Sequence, residues 1–118
     1  MKRQFRYFIA GCCIISLQVV NLSATEIWTL TTAPYNGWVA VASSADGNTL
    51  VAVSDSIYVS TNSGASWTAA TNAPGGFWTC VAISADGSKM AAGIDGGGIY
   101  TSRDHGVTWK LTTAPVNY

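Results

Sequence analysis

Chemistry in this chain would have to start from a handful of side chains. Beyond the first 24 residues it carries Glu26, Asp46, Asp55, Asp86, Asp95 and Asp104, one histidine (His105), one cysteine (Cys80) and one arginine (Arg103). Two carboxylates facing each other across a cleft could hydrolyse a glycosidic bond. Asp46 and Asp86, however, each precede a glycine, the dipeptide of a tight hairpin turn in which glycine takes positive φ without steric cost. Asp104 sits in Ser102-Arg103-Asp104-His105-Gly106-Val107-Thr108-Trp109, where a short carboxylate can accept hydrogen bonds from N–H groups of its own loop. Asp55 and Asp95 remain, and two loop acids are a thin basis for an active site. His105 has no second histidine to join it. Cys80 aligns with Ala40 and is expected at a small, packed core position, behaving as a small hydrophobe. Gly96-Gly97-Gly98 precedes another strand and not a helix, so it reads as a hairpin loop and not a phosphate cradle. No catalytic residue, metal site or cofactor is assigned, and no enzyme is expected.

The elements that must position these residues follow from an internal repeat. Trp28-Thr29-Leu30-Thr31-Thr32-Ala33-Pro34 recurs from Trp67 to Pro74 and again from Trp109 to Pro115. Between these copies, Trp38 to Gly47 aligns with Trp78 to Gly87. Each unit reads as four short strands. The first covers 38–43 (78–83), the second 49–53 (89–93) and the third 57–61 (99–103), and the fourth begins at Trp67 (Trp109). Four antiparallel strands at a period of about 40 residues are what one β-propeller blade requires. The fold expected is all-β: two blades, about 38–71 and 78–113, plus one spare strand at 28–32.

Charge and composition narrow the partners. The chain has 118 residues and a formal charge of zero. From residue 25 onward, three basic residues against six acidic ones leave −3, with no basic stripe to neutralise phosphates, so nucleic acid is not an expected partner. Lys2, Arg3 and Arg6 precede an apolar run over 7–20 and the small polar residues 21–24. This is the layout of a secretory signal peptide over 1–24, which makes the repeat region 25–118 an exported, secreted or periplasmic protein. An uncleaved membrane anchor and lipidation at Cys12 are the competing readings, and membrane contact is expected only through such a retained segment. With Cys12 and Cys13 removed, Cys80 has no partner for an internal disulfide.

Ser102-x-Asp104-x-Gly106-x-Thr108-Trp109 resembles the Asp-box, or bacterial neuraminidase repeat, of the sialidase-type propeller superfamily. That superfamily includes glucan-cleaving hydrolases, sortilin-type receptors and the photosystem II assembly factor. The upstream copy, Ser60, Asn62, Gly64 and Trp67, departs from the motif at Asn62. The resemblance spans about 27–115. It implies that Ser60, Asn62, Gly64, Trp67, Ser102, Asp104, Gly106 and Trp109 are structural and lie on the face opposite the ligand-binding mouth. It implies no sialidase activity, because the family's arginine cluster cannot be built from Arg103 alone.

On a propeller, the loops joining one blade to the next surround the mouth of the channel. Tyr35, Asn36, Trp38, Phe77 and Trp78 could offer ring faces or an amide there to a glycan or protein ligand, with Asp55 and Asp95 on the same side. Packing between blades is the competing role for Trp38 and Trp78. The function expected is therefore an exported, non-catalytic binding or scaffold module, either a repeat protein or a fragment of a longer one, with a remnant of a sialidase-like or other glycoside hydrolase as the alternative. Two blades leave open strand edges, so self-association to complete a ring is a further expectation.

Overall fold

The computed structural model describes residues 27–116, together with two short strands, β1 (Tyr7–Ile9) and β2 (Cys13–Ile15), which pair antiparallel. The signal-peptide reading falls on a stretch that otherwise lies outside the described residues. Among the described residues there is no helix, and hence none long and apolar enough to cross a membrane.

Two four-stranded antiparallel sheets make up the body. The first contains β3 (Ala40–Ser43), β4 (Leu50–Val53), β5 (Ile57–Ser60) and β6 (Thr68–Ala69), in that order across the sheet. The second contains β7 (Trp78–Ile83), β8 (Met90–Ile94), β9 (Ile99–Ser102) and β10 (Lys110–Leu111), also in sequence order. This is the layout of two propeller blades. The β3–β4 turn is held by Asp46: Ser44 Oγ donates to it at 2.6 Å and Asn48 N–H at 3.0 Å. Asp86 repeats both bonds with Ser84 and Ser88, at 2.6 and 3.0 Å. These bonds hold both carboxyls below the usual aspartate range, the serine hydroxyl at position −2 contributing most.

Register explains the core. Ala40, Ala42, Val51, Val53, Ile57 and Val59 share one face of the first sheet. Val81, Ile83, Met90, Ala92 and Tyr100 share one face of the second. The two faces meet in a single apolar cluster, with β7 lying against β3 and β4. Burying a side chain such as Val53 or Ile57 there contributes about 1.5–3 kcal/mol.

Each sheet has a second face that no described strand covers. On the first it carries Val41 and Tyr58, on the second Cys80, Ala82, Ile99 and Thr101. This corrects the expectation for Cys80, whose thiol is exposed. Its counterpart Ala40 is half-buried because the second sheet lies over it, and none of the described strands lies over Cys80. The spare strand is corrected too. Residues 28–32 form no strand, and Trp28 and Leu30 are almost fully exposed. A strand needs a ladder partner, and none of the described strands runs alongside this segment. Instead, Thr32 Oγ1 donates to Ala65 O at 2.7 Å.

Candidate functional site

Alternating strand direction sorts the loops into two ends. The turns at 44–49 and 84–89 lie at one end with the loops at 61–67 and 103–109. The turns at 54–56 and 95–98 lie at the other with the linker loops 34–38 and 74–77.

At the first end the carboxylate is consumed by its own loop. Asp104 Oδ1 accepts from Ser102 Oγ at 2.8 Å and from Thr108 N–H at 2.9 Å, and Oδ2 accepts from Thr108 Oγ1 at 2.5 Å. The Thr108 hydroxyl, then the Thr108 N–H and the Ser102 hydroxyl, hold the Asp104 carboxyl down at about 2. Gly106 N–H donates to Ser102 Oγ at 2.9 Å, and Trp109 Nε1–H to Gly106 O at 3.0 Å. Asn62 makes the corresponding bonds without charge, accepting from Ser60 Oγ at 3.0 Å and Ser66 N–H at 2.8 Å. Gly64 N–H donates to Ser60 Oγ at 2.9 Å. Trp67 differs from Trp109: its buried Nε1–H has no acceptor, and Thr32 Oγ1 approaches Gly64 O, the counterpart acceptor, at 3.3 Å. His105 is exposed in this loop and lines a cleft of about 310 Å³ with Thr68, Thr71, Asn72 and Val107.

The opposite end brings together residues from four loops. Asn36 Nδ2–H donates to Ser54 Oγ at 2.6 Å and to Asp55 Oδ1 at 3.1 Å, and Ser54 Oγ–H donates to Asp55 Oδ1 at 3.0 Å. The Asn36 amide, then the Ser54 hydroxyl, lower the Asp55 carboxyl below its ordinary value. A carboxylate held ionised this way suits accepting hydrogen bonds better than donating a proton as a general acid. Backbone bonds join the loops of the two sheets, Trp78 N–H donating to Ser54 O at 2.8 Å and Gly76 N–H to Asp55 O at 3.5 Å, and within the second sheet Asp95 N–H donates to Phe77 O at 2.9 Å. Asn36, Asp55, Phe77 and Asp95 thus lie along one rim. Tyr35 stands next to Asn36 with its side chain fully in solvent, and the Phe77 ring is largely exposed.

The two tryptophans do not belong to that rim surface. Trp78 is fully buried, edge-on to Tyr100 with centroids 5.4 Å apart and 6.3 Å from Trp109. It is therefore withdrawn as a ligand-contacting residue. Trp38 makes the same pair of contacts with Tyr58 and Trp67, at 5.4 and 6.4 Å, and is half-buried. Sequence reasoning passed over Ser54, which is buried and ties Asn36 to Asp55. No spacing pattern marks it, since it meets Asn36 only once β3 and β4 have paired.

The chain is similar to part of a GH74 enzyme. The match is to the crystal structure of the Niastella koreensis enzyme, with a TM-score of 0.59 and 32% sequence identity over 71% of this chain. The chain spans 13% of that enzyme's length. The likeness agrees with reading the two four-stranded sheets as blades. No protein-family model matches the chain, and no curated protein matches it.

Proposed function

We propose that this chain is an exported, non-catalytic propeller module that binds a glycan at the rim formed by Tyr35, Asn36, Asp55, Phe77 and Asp95. The observation that carries the reading is the pairing of two exposed aromatic rings with a carboxylate kept ionised by Asn36 and Ser54. Ring faces give a sugar's C–H surface an apolar platform, and an ionised carboxylate accepts from its hydroxyls. On the same reading, the loops at 60–67 and 102–109 are Asp-box loops of the bacterial neuraminidase repeat. Their polar groups are spent on loop closure at the other end.

A second reading has an observation in its favour. The likeness to a GH74 enzyme supports a remnant of a glycoside hydrolase, with Asp95 as the remaining acid. A panel of soluble oligosaccharides separates the two when binding and turnover are measured on the same samples. The binding reading expects saturable binding without product, weakened several-fold by Tyr35→Ala and Phe77→Ala. Product release abolished by Asp95→Ala would replace it with the hydrolase reading. No binding to any glycan, with the rim variants indistinguishable from the parent chain, would remove both.

A further inference from the structure

Residues 28–34, Trp-Thr-Leu-Thr-Thr-Ala-Pro, return at 109–115 as Trp-Lys-Leu-Thr-Thr-Ala-Pro, identical at six of seven positions. The second copy is seated. Trp109 is 7% exposed and donates to Gly106 O, Lys110 pairs with Thr101, and Leu111 pairs with Tyr100. The first copy has the same apolar side chains and no seat, with Trp28 94% and Leu30 97% exposed. One sequence is therefore present twice, once filling the fourth-strand position of the second sheet and once with its Trp and Leu side chains in solvent, anchored through Thr32 to Gly64 O and Ala65 O.

We infer that residues 28–32 of one chain take the place of 109–113 as the fourth strand of the second sheet in another copy. The geometry that follows is one the chain already contains. Inside the chain, the segment beginning at Trp67 closes the first sheet, and a short loop leads from it to Trp78, whose sheet stacks on the first. The segment beginning at Trp28 leads to Trp38 through a loop one residue shorter. Seated in a second copy, it would deliver the first sheet onto that copy's uncovered face. Val41, Tyr58 and the half-buried Trp38 would then meet Cys80, Ala82, Ile99 and Thr101. This is the stacking by which Val81, Tyr100 and Trp78 meet Ala40, Ala42, Ile57 and Val59 within one chain.

The single difference between the two heptapeptides fits the exchange. Lys110 shares the uncovered face with Thr101, and its counterpart in the covered first sheet is Thr68. A donated strand puts Thr29 at this position, replacing a long cation with the residue type found where a sheet does cover the face. The turns would also line up as they do within the chain. Ala45 N–H donates to Ala85 O at 2.9 Å within the chain, setting the turns of successive sheets side by side. Between copies, the turn carrying Asp46 would sit beside the one carrying Asp86, close to Lys89. Exchange of near-identical strands costs little, and a head-to-tail contact of this kind closes into a ring if its rotation permits. Rings of about 4–8 blades correspond to about two to four copies.

Light scattering on purified chain, across a range of concentrations, should give a mass that is a multiple of the monomer's. Trp28→Ala should return the monomer while leaving the melting curve of the isolated chain unchanged, because the ring is in solvent there. In a Cys80→Ser background, mixing chains that carry Thr29→Cys with chains that carry Thr101→Cys should give an oxidised heterodimer. A Thr101→Cys/Lys110→Cys chain oxidised as a monomer has β10 locked on β9, and should assemble only after the bond is reduced. A monomer at every concentration overturns the inference. So does an assembly that ignores Trp28→Ala and forms no Thr29–Thr101 bond, which would place another surface or another occupant at the contact. Assembly of the Thr101→Cys/Lys110→Cys chain while still oxidised would show a strand added beside β10, and would overturn the exchange.

Discussion

Trp38 and Trp78 stand at the same position of two repeated sheets and keep the same aromatic company, yet one is half-buried and the other fully buried. The same asymmetry runs through Val41 against Val81 and through Trp67 against Trp109. Local sequence does not cause it. Each sheet presents one apolar face that its neighbour covers and one that the described residues leave open, so a residue's environment depends on which sheet lies over it. What a repeat encodes is a stacking surface, and the energy of that surface is realised only when the next sheet arrives.

The largest test of this comparison removes the rings. Trp78→Ala should cost about 3–5 kcal/mol, the range for deleting a buried aromatic, and Trp38→Ala clearly less, both read from urea midpoints of the monomer. Equal losses would break the comparison. If copies assemble as inferred above, the gap between the two variants should narrow under assembling conditions, because Trp38 then gains the cover that Trp78 already has.

Next in size are the loop glycines. Gly64 and Gly106 take φ of 85° and 82°, so a side chain at either costs about 1–2 kcal/mol. At Gly106 a Cβ would also meet Val59 Cγ2 at 2.7 Å and Met90 Sδ at 3.1 Å inside the stacked core, adding about 1–3 kcal/mol of overpacking. At Gly64 it would meet Thr31 Cγ2 at 2.9 Å, in a segment with no ladder to hold it in place. Gly106→Ala should therefore lower the melting temperature well beyond Gly64→Ala. The reverse order would mean that residues 28–32 are held as firmly as β5.

The charged and uncharged loops part ways in acid. Asp104 has its carboxyl lowered from 3.8 to about 2 in the folded chain. The unfolded state thus binds more protons in that interval. The stability Asp104 contributes is fully present above its unfolded value and is lost as pH falls through about 2. Asp104→Asn should flatten the acid limb of the stability–pH curve, and Asn62→Asp should steepen it, both measured by chemical unfolding between pH 2 and pH 5. Asp46, Asp55 and Asp86 shift in the same direction, so the limb should shrink and not vanish. An unchanged limb in both variants would mean that carboxylate and amide close this loop by different means.

The strands were legible in the sequence. The apolar runs after Trp38 and Trp78, the Asp-Gly turns and the repeated tryptophans put β3–β10 within a residue or two of where they fall. The Asp104 clamp was legible for the same reason, because every bond it makes spans no more than four residues. Three things were not. Cys80 is exposed although the residues around it read as core, since alternation tells which side chains share a face and not what covers it. Trp28 to Thr32 reads as a strand by composition, yet none of the described strands runs alongside it to form a ladder. The Asn36–Ser54–Asp55 cluster joins positions 18 and 19 residues apart that meet only after two strands have paired.

The smallest expected effect separates two positions that look equivalent. Ser63 and His105 both take φ of 58°, a left-handed backbone that side chains disfavour by about 1–2 kcal/mol. Glycine would relieve that strain but lose about 0.5–1 kcal/mol through the freedom it gains in the unfolded chain. Both backbone N–H bonds survive such a change, Ser63 to Asn48 O at 2.9 Å and His105 to Ser88 O at 3.1 Å. The side chains differ. Ser63 Oγ donates to Asn48 Oδ1 at 3.1 Å, a bond worth about 0.5–1.5 kcal/mol at most, whereas His105 projects into the open cleft beside Thr71. His105→Gly should therefore leave stability level or slightly raised, and Ser63→Gly level or slightly lowered, a difference that paired urea titrations can resolve. A clear loss on His105→Gly would mean that the imidazole holds the cleft wall in place, and the loop would then be more than a clamp.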